Sequence, residues 1–477
     1  MPRPEERSAL QDAACGGSSG QGAHLEGRGT ASTRVLHQIA RTPPFLLLAL
    51  LLLASEAFGL LAQFDHDTGH FIIAVLLQGG IWAVAAVLVA RGPARPSLGV
   101  ILATAALLRL MALAAPVYLS DDIYRYIWDG RVQAAGINPY SYIPTDTHLA
   151  PLHDQTVFPN INRNNYAPTI YPPVAQMLFF VATRFGETVP VVKLVLVAVE
   201  AVGIAALLLV LRTIGAPRQH ILFYAWHPLP VWEIAGSGHI DAAVVAFVAL
   251  ALAAAVSGRR AWSGAALAAA TLVKFFPVVL VPALWRPAKA NIGDWRWIAA
   301  FTAVVIAAYL PYLGVGSRVL GFLPGYLTEE KLASGGGFWG LGAISRVIPV
   351  PVAAYLGVMA AVMTGLAVGA LRRPADPLAR LPWAAALGTA ATLFASPHYA
   401  WYFVWLVALL CVAPWWPAFW PTSTAVLLYW EPKTGHIPLW VGFTIYGGFA
   451  IFGCADMAWR YVRAARSGER HGRRCAS

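Results

Sequence analysis

The chain has 477 residues, of which 58% are hydrophobic and only 12% charged; a soluble domain carries about twice that charged fraction, so an ordinary soluble enzyme or binding module is excluded. A mean hydropathy of +0.60, with 18 Trp and 17 Tyr of the kind that gather at water–lipid boundaries, places it among polytopic membrane proteins. The net charge of +11 is spread over short basic stretches without a recognition motif, which argues against nucleic acid and for topology signals that also meet anionic lipid.

Residues 1–42 are rich in Gly, Ser, Ala and Arg without hydrophobic periodicity and read as a disordered tail with no signal peptide. Runs long enough to span, which takes ~20 apolar residues, follow at 43–63, 71–90, 97–116, 188–211, 219–236, 239–257, 295–313, 350–371, 381–396, 399–418 and 437–459. The runs 168–184 and 262–285 are ambiguous, and a short span near 421–430 is allowed. Most Lys and Arg fall on one side if 168–184 dips into the outer surface without crossing and 262–285 is a broken hairpin entering from inside. The expectation is an all-α, multi-pass plasma (inner) membrane protein of about 11 to 13 transmembrane helices, with residues 43–460 as its body and 461–477 as a basic tail. Both termini are then cytoplasmic. The four cysteines lie in the tails (Cys15, Cys475) and in apolar runs (Cys411, Cys454), with no disulfide framework or CxxC metal pattern.

This topology puts the polar clusters 117–167, 236–241, 314–347, 396–401 and 431–436 on the outer side. An enzyme working there has no access to cytosolic nucleotide sugars or ATP, so its activated substrate must be lipid-borne. The densest cluster is LSDDIYRYIWDGRVQAAGINPY, Leu119 to Tyr140. Charge so placed is costly unless it serves a water-filled site. Ser120 is a good helix N-cap, Asp121 and Asp122 suit a first turn, and Gly136 is a natural stop. Asp122, Arg125 and Asp129 then share one face, and Ile123, Ile127 and Ala134 another that faces lipid. Lys274, isolated in the apolar LVKFFP, must find water or a cavity, because an ammonium in lipid costs ~3 kcal/mol or more. Arg109, inside a span, calls for a neighbouring acid or a phosphate.

SDDIYRYIWDGR with GINPY, APTIYPPVAQ, HPLPVWEIAGSGHID, TLVKFFP and SPHYAWYFVW occur in that order between apolar spacers. Together they resemble the GT-C superfamily of polytopic glycosyltransferases that use polyprenyl-phosphate sugars, over roughly residues 43 to 460, and within it the bacterial mannosyltransferase-type members. The resemblance implies a GT-C type bundle with outer-face juxtamembrane helices in the first large loop, and a carboxylate of that loop as catalytic base. It maps onto Asp121 and Asp122, adjacent here rather than spaced as DxD. Asp122, on a face with Arg125 and Asp129, is the first choice, with Asp121 orienting it.

The resemblance further implies inverting transfer of a hexose, mannose on resemblance alone, from a polyprenyl-phosphate donor to an envelope glycolipid or glycan acceptor. Lys274, Arg125 and His239 are then candidates for the donor phosphate. Asp129, Asp241, Arg163, Tyr171 and His398 are candidates for binding substrate, Tyr171 beside the lipid chain and His398 with its aromatic neighbours against sugar or prenyl groups. No metal is required, since cations can neutralise a leaving monophosphate; if Mg or Mn takes part, Asp121 and Asp122 would hold it. Glu329, Glu330 and Lys331 read as a solvated, Gly-rich loop. The rival functions are a transporter or flippase of a lipid-linked sugar and a non-catalytic subunit of an envelope complex.

Overall fold

The computed structural model describes residues 43–92, 95–285, 295–332, 334–373, 377–430 and 438–475. The expected tail at 1–42, the 431–436 cluster and the last residues of the basic tail lie outside the described residues or side chains. All regular structure among the described residues is helical. Among the described residues six helical segments are long and apolar enough to cross a membrane, and the protein is an all-α polytopic membrane protein. Leu46, Leu47, Leu50 and Leu61 on the first helix, and Val358 and Val362 further on, turn outward, as only a lipid-facing surface tolerates over such lengths.

Two long helices open the bundle, α1 (Pro43–Phe64) and α2 (Thr68–Arg91), packed on each other, and α1 packs also on the shorter α3 (Leu98–Ala112). The first large loop follows, holding α4 (Asp122–Ala134) and α5 (Pro173–Phe185). Next come α6 (Val189–Thr213), α7 (Asp241–Val256), α8 (Arg260–Thr271) and α9 (Trp295–Tyr309). The remainder is α10 (Val352–Leu371), α11 (Leu381–Ala395), α12 (Val404–Val412), α13 (Trp416–Thr424) and α14 (Gly448–Cys475).

Several runs expected to span are shorter or broken. The 219–236 run is not one helix: Pro228 and Pro230 interrupt it, and it ends in a π-helical turn, Val231–Gly236. It is buried from Ile221 to Gly236, consistent with irregular backbone being allowed at membrane depth only inside protein. α5, with 13 residues, is only about 20 Å long at 1.5 Å per residue, too short to cross. The 262–285 run breaks after α8 into a turn at 272–275 and the short turns Phe276–Leu280 and Val281–Leu284.

Buried polar pairs pin this core. Arg109 on α3 meets both carboxylate oxygens of Glu200 on α6 at 2.8 and 2.6 Å and also donates to the Ala225 carbonyl, while the Tyr224 hydroxyl donates to Glu200. The acid that Arg109 requires is therefore inside the bundle. Gln78 bridges α1 to the broken 219–236 segment, donating to Glu56 at 2.6 Å and accepting from the Trp232 indole at 2.7 Å.

The side of α4 expected to face lipid packs largely against protein instead. Ile123 and Ile127 are almost fully buried in protein, as are Tyr126 and Trp128 on its other sides. Its approach to α5 is close enough that a Cβ on Gly130 would lie 2.5 Å from the Phe179 carbonyl and from the Thr183 hydroxyl. The helix starts at Asp122 with Asp121 as its cap residue, one position later than a Ser120 cap would give; the Ser120 hydroxyl accepts from the Asp122 N–H at 3.3 Å. It ends at Gly136, whose φ of 75° is the left-handed conformation that closes helices.

Candidate active site

The two acids and the isolated lysine meet because two backbone connections bring their elements together. The carbonyl of Leu272, in the turn that breaks the 262–285 run, accepts hydrogen bonds from the N–H groups of Val174 and Ala175 at 3.1 and 3.2 Å. These are free N–H groups of the first turn of α5, so the Lys274 turn is fixed to the segment carrying Tyr171. The Tyr171 hydroxyl in turn donates to Asp122 Oδ2 at 3.2 Å. A cavity of about 380 Å³ opens between them, lined by Asp121, Asp122, Arg125, Asn162, Arg163, Tyr171 and Lys274, with Tyr326, Tyr399, Trp401 and Tyr402 forming aromatic wall.

Lys274 is held aimed into this cavity. Its ammonium donates to Asp241 Oδ2 at 2.6 Å and lies 4.8 Å from the centre of the Tyr402 ring. Asp241 is the first residue of α7 and fully buried, its other oxygen without a hydrogen-bond partner. Asp241 therefore stands behind the lysine and does not itself line the cavity.

The acids are joined by Asn162, whose Nδ2 donates to Oδ1 of Asp121 and to Oδ1 of Asp122, each at 2.9 Å. The Asn162 carbonyl accepts from Arg125 Nη2, which also reaches the Ala167 carbonyl. Arg125 thus lines the cavity while bracing the loop opposite. Asp121 lies outside the membrane-spanning helices. Burial raises its pKa above the ordinary carboxylate value, the Asn162 hydrogen bond works against that rise, and the adjacent Asp122 charge adds to it.

A second cavity, of about 510 Å³, adjoins the first and is mainly apolar, with Val279, Leu332, Phe338, Met359, Met363 and Ala391 among its lining. Tyr326 and Tyr402 line both cavities, and their hydroxyls are 3.2 Å apart.

Three other candidates, Asp129, His239 and His398, stand apart from the first cavity. Asp129, expected on a shared face with Asp122, is buried between α4 and α5 and accepts from Gln176 at 2.8 Å. His239 is fully buried 3.0 Å from Glu233, with the Trp401 ring tilted against it at 4.2 Å between centroids, so it backs the aromatic wall. His398 lines the apolar cavity and pairs with Glu330 at 3.1 Å. Arg163 lines the first cavity and binds Glu329 at 2.7 Å. The Glu329–Glu330 stretch is therefore tied down at two points, where the sequence suggested a solvated loop. The loop's polarity was legible; its partners, distant in sequence, were not.

Asn162 and Tyr326 were not singled out from the sequence. The polar run NINRNNY within the first loop is the one local signal for Asn162, and it does not single out that residue; Tyr326 gave none. Asp121 and Asp122 make a poor seat for a divalent cation. The amide donor of Asn162 occupies the space between their Oδ1 atoms, and among the described residues no group of three or more His, Cys, Asp or Glu converges.

No curated protein and no solved structure matches the chain. The model of one family does: the alpha-(1->6)-mannopyranosyltransferase N-terminal domain, MptA_B family, matches residues 46–288. The match includes the acid pair, Asn162, Tyr171, Asp241 and Lys274, and stops before Tyr326 and most of the apolar cavity. With its acid-and-lysine cavity set in a helical membrane body, the chain belongs to the alpha-(1->6)-mannopyranosyltransferase family and is a GT-C type membrane mannosyltransferase.

Proposed function

We propose that the protein transfers a mannosyl group from a polyprenyl-phosphate donor to a hydroxyl of an envelope glycolipid or glycan on the outer face of the plasma membrane, with inversion at the anomeric carbon. In that step a carboxylate of the Asp121–Asp122 pair takes the proton of the acceptor hydroxyl as its oxygen attacks the anomeric carbon. The bond from that carbon to the phosphate oxygen breaks, and its electron pair leaves with the polyprenyl monophosphate. Lys274 and Arg163, both on the cavity wall, are the cations for the charge that develops on the phosphate. Arg125, braced against two carbonyls, adds positive potential to the same wall.

The observation that carries this reading is the adjacency of an acid-and-cation cavity to a mainly apolar one across the Tyr326–Tyr402 pair. A lipid-linked sugar phosphate has those two halves, and the apolar cavity is sized and lined for the first isoprene units. Tyr399 and Trp401, stacked with centroids 4.6 Å apart, offer a flat apolar face of the kind sugar rings rest on. The outer-face assignment rests on the distribution of Lys and Arg along the chain.

The test is a transfer assay with purified protein in nanodiscs, given radiolabelled polyprenyl-phosphate mannose and candidate mannan or glycolipid acceptors. Label is expected to move to the acceptor with inverted anomeric configuration. Movement of intact donor between the leaflets of proteoliposomes without bond formation would assign transport instead. A thiol introduced at Ser120 is expected to react with an impermeant reagent added to whole cells; protection there would place the cavity on the other face.

A further inference from the structure

Two adjacent carboxylates facing one cavity are chemically redundant unless the fold treats them differently, and here it does. Asp122 has donors on both oxygens: Asn162 on Oδ1 at 2.9 Å and the Tyr171 hydroxyl on Oδ2 at 3.2 Å. Each of its oxygens is thus held by a fixed donor, which orients the group and places a partner beside both atoms an incoming hydroxyl would have to approach. Asp121 accepts from Asn162 through Oδ1 and from no hydroxyl among the described residues. It is the more exposed of the two at the cavity mouth.

Asn162 is unusually well placed to enforce this difference. One amide nitrogen has two hydrogens, and each goes to a different carboxylate. Three anchors hold the residue itself: Ile161 is buried before it, Arg125 grips its carbonyl, and Arg163 after it is pinned to Glu329. Arg163 has a φ of 55°, a left-handed conformation rare outside glycine. At this turn the Asn162 side chain meets the acids and the Arg163 side chain meets Glu329.

We propose that Asn162 is a positioning residue that clasps both carboxylates through one amide and, with Tyr171, divides their roles, leaving Asp121 as the proton acceptor and Asp122 as its fixed neighbour. This rests on the transferase reading above and refines it, reversing the order of preference that helix periodicity suggested. The groups that face Asp121 are Asp122 on its own segment, Asn162 and Arg163 on the loop opposite, and Arg125, Tyr171 and Lys274 around the same cavity.

The experiment compares full-length Asn162→Ala, Asn162→Asp, Asp121→Asn and Asp122→Asn in the donor-to-acceptor assay, recording kcat, donor KM and the pH profile of kcat/KM. Loss of a general base is worth about 10²–10⁴-fold, and that loss is expected in kcat for D121N. D122N is expected to lose less, and its acid limb to move to lower pH because a negative neighbour is gone. N162A is expected to lower kcat by roughly tenfold or more, with donor KM nearly unchanged, and to move the acid limb to higher pH as a hydrogen bond favouring the charged form is removed. N162D keeps the shape while replacing the donor with a third negative charge, and is expected to fall below N162A; it decides the matter if N162A does not fold.

Wild-type kcat and pH profile in N162A or N162D, beside inactive aspartate variants, would overturn the clasp and leave the transferase reading standing. A larger loss in D122N than in D121N would overturn the division of roles. Full activity in both aspartate variants would remove the transferase assignment of this cavity and the clasp with it.

Discussion

Lys274 Nζ and Asp241 Oδ2 lie 2.6 Å apart, joining the turn that breaks the 262–285 run to the first residue of α7. The pair solves two problems at once: the lysine gains a counter-charge within an apolar setting, and the acid fixes its direction. Replacing Lys274 with Met is expected to lower kcat by about 10²-fold or more, the loss seen when one preorganised donor to developing charge is removed. Asp241→Asn is expected to lose less, because the lysine stays but is no longer held. Steady-state transfer kinetics on protein of unchanged thermal midpoint check both.

The acid limb of the wild-type pH profile follows from Asp121. The base works deprotonated, and burial together with the Asp122 charge holds the Asp121 pKa above its ordinary value. As pH falls, activity is therefore expected to decline before a free aspartate, at about 3.9, would protonate. A kcat/KM profile whose acid limb lies at or below that value would exclude Asp121 as the group responsible.

The Arg109–Glu200 pair, buried between α3 and α6, predicts a sharp asymmetry in stability. Arg109→Leu leaves a buried carboxylate without its counter-charge and is expected to cost roughly 3–5 kcal/mol, whereas Arg109→Leu with Glu200→Leu removes both charges and restores most of it. Thermal unfolding in detergent, followed by intrinsic fluorescence, distinguishes the two.

Much of this was readable in the sequence, and the reasons are local ones. The spanning character of α1, α2, α6 and α10 is written in long apolar runs, the end of α4 in Gly136, and the break of the 262–285 run in the LVKFFP stretch before Pro277, whereas 219–236 reads as one span although Pro228 and Pro230 break it. What one-dimensional pattern does not contain is the direction of a side chain inside a crowded interior. Asp129 has the spacing of a cavity residue, yet Gly130 draws α5 so close that Asp129 meets Gln176 instead. His239 and His398 sit in polar motifs, but their glutamate partners Glu233 and Glu330 lie on segments whose docking is decided by tertiary packing. Asn162 was hidden for the same reason, as its partners are about 40 residues upstream.

Filling the apolar cavity tests its part in holding the lipid. Met363→Trp or Ala391→Trp places a bulky ring where Met363 and Ala391 line the wall. Such variants are expected to raise KM for long-chain donors about tenfold, the effect of a few lost methylene contacts at ~0.8 kcal/mol each, while short-chain analogues are turned over as before. Equal effects on long and short donors would place the chain elsewhere.

Gly130 gives a separate packing prediction. Because a Cβ there would lie 2.5 Å from the Phe179 carbonyl and from the Thr183 hydroxyl, Gly130→Ala is expected to cost about 1–3 kcal/mol through overpacking. The same variant should lower transfer by displacing α4, which begins at Asp122. Thr183→Ala in the same chain would relieve part of the clash, and recovery of the thermal midpoint in the double variant checks it.

The carbonyl of Leu272 ends one element and begins another, since it receives the opening N–H groups of α5 two residues before Lys274. Inserting or deleting one residue anywhere from 272 to 276 would therefore not simply lengthen a loop. It would withdraw the acceptor from α5, and the tyrosine that leads into that helix would move with it. The distance between cation and acids in this fold is thus set by a count of amino acids along the main chain, and natural variants are expected to keep that count even where the side chains change.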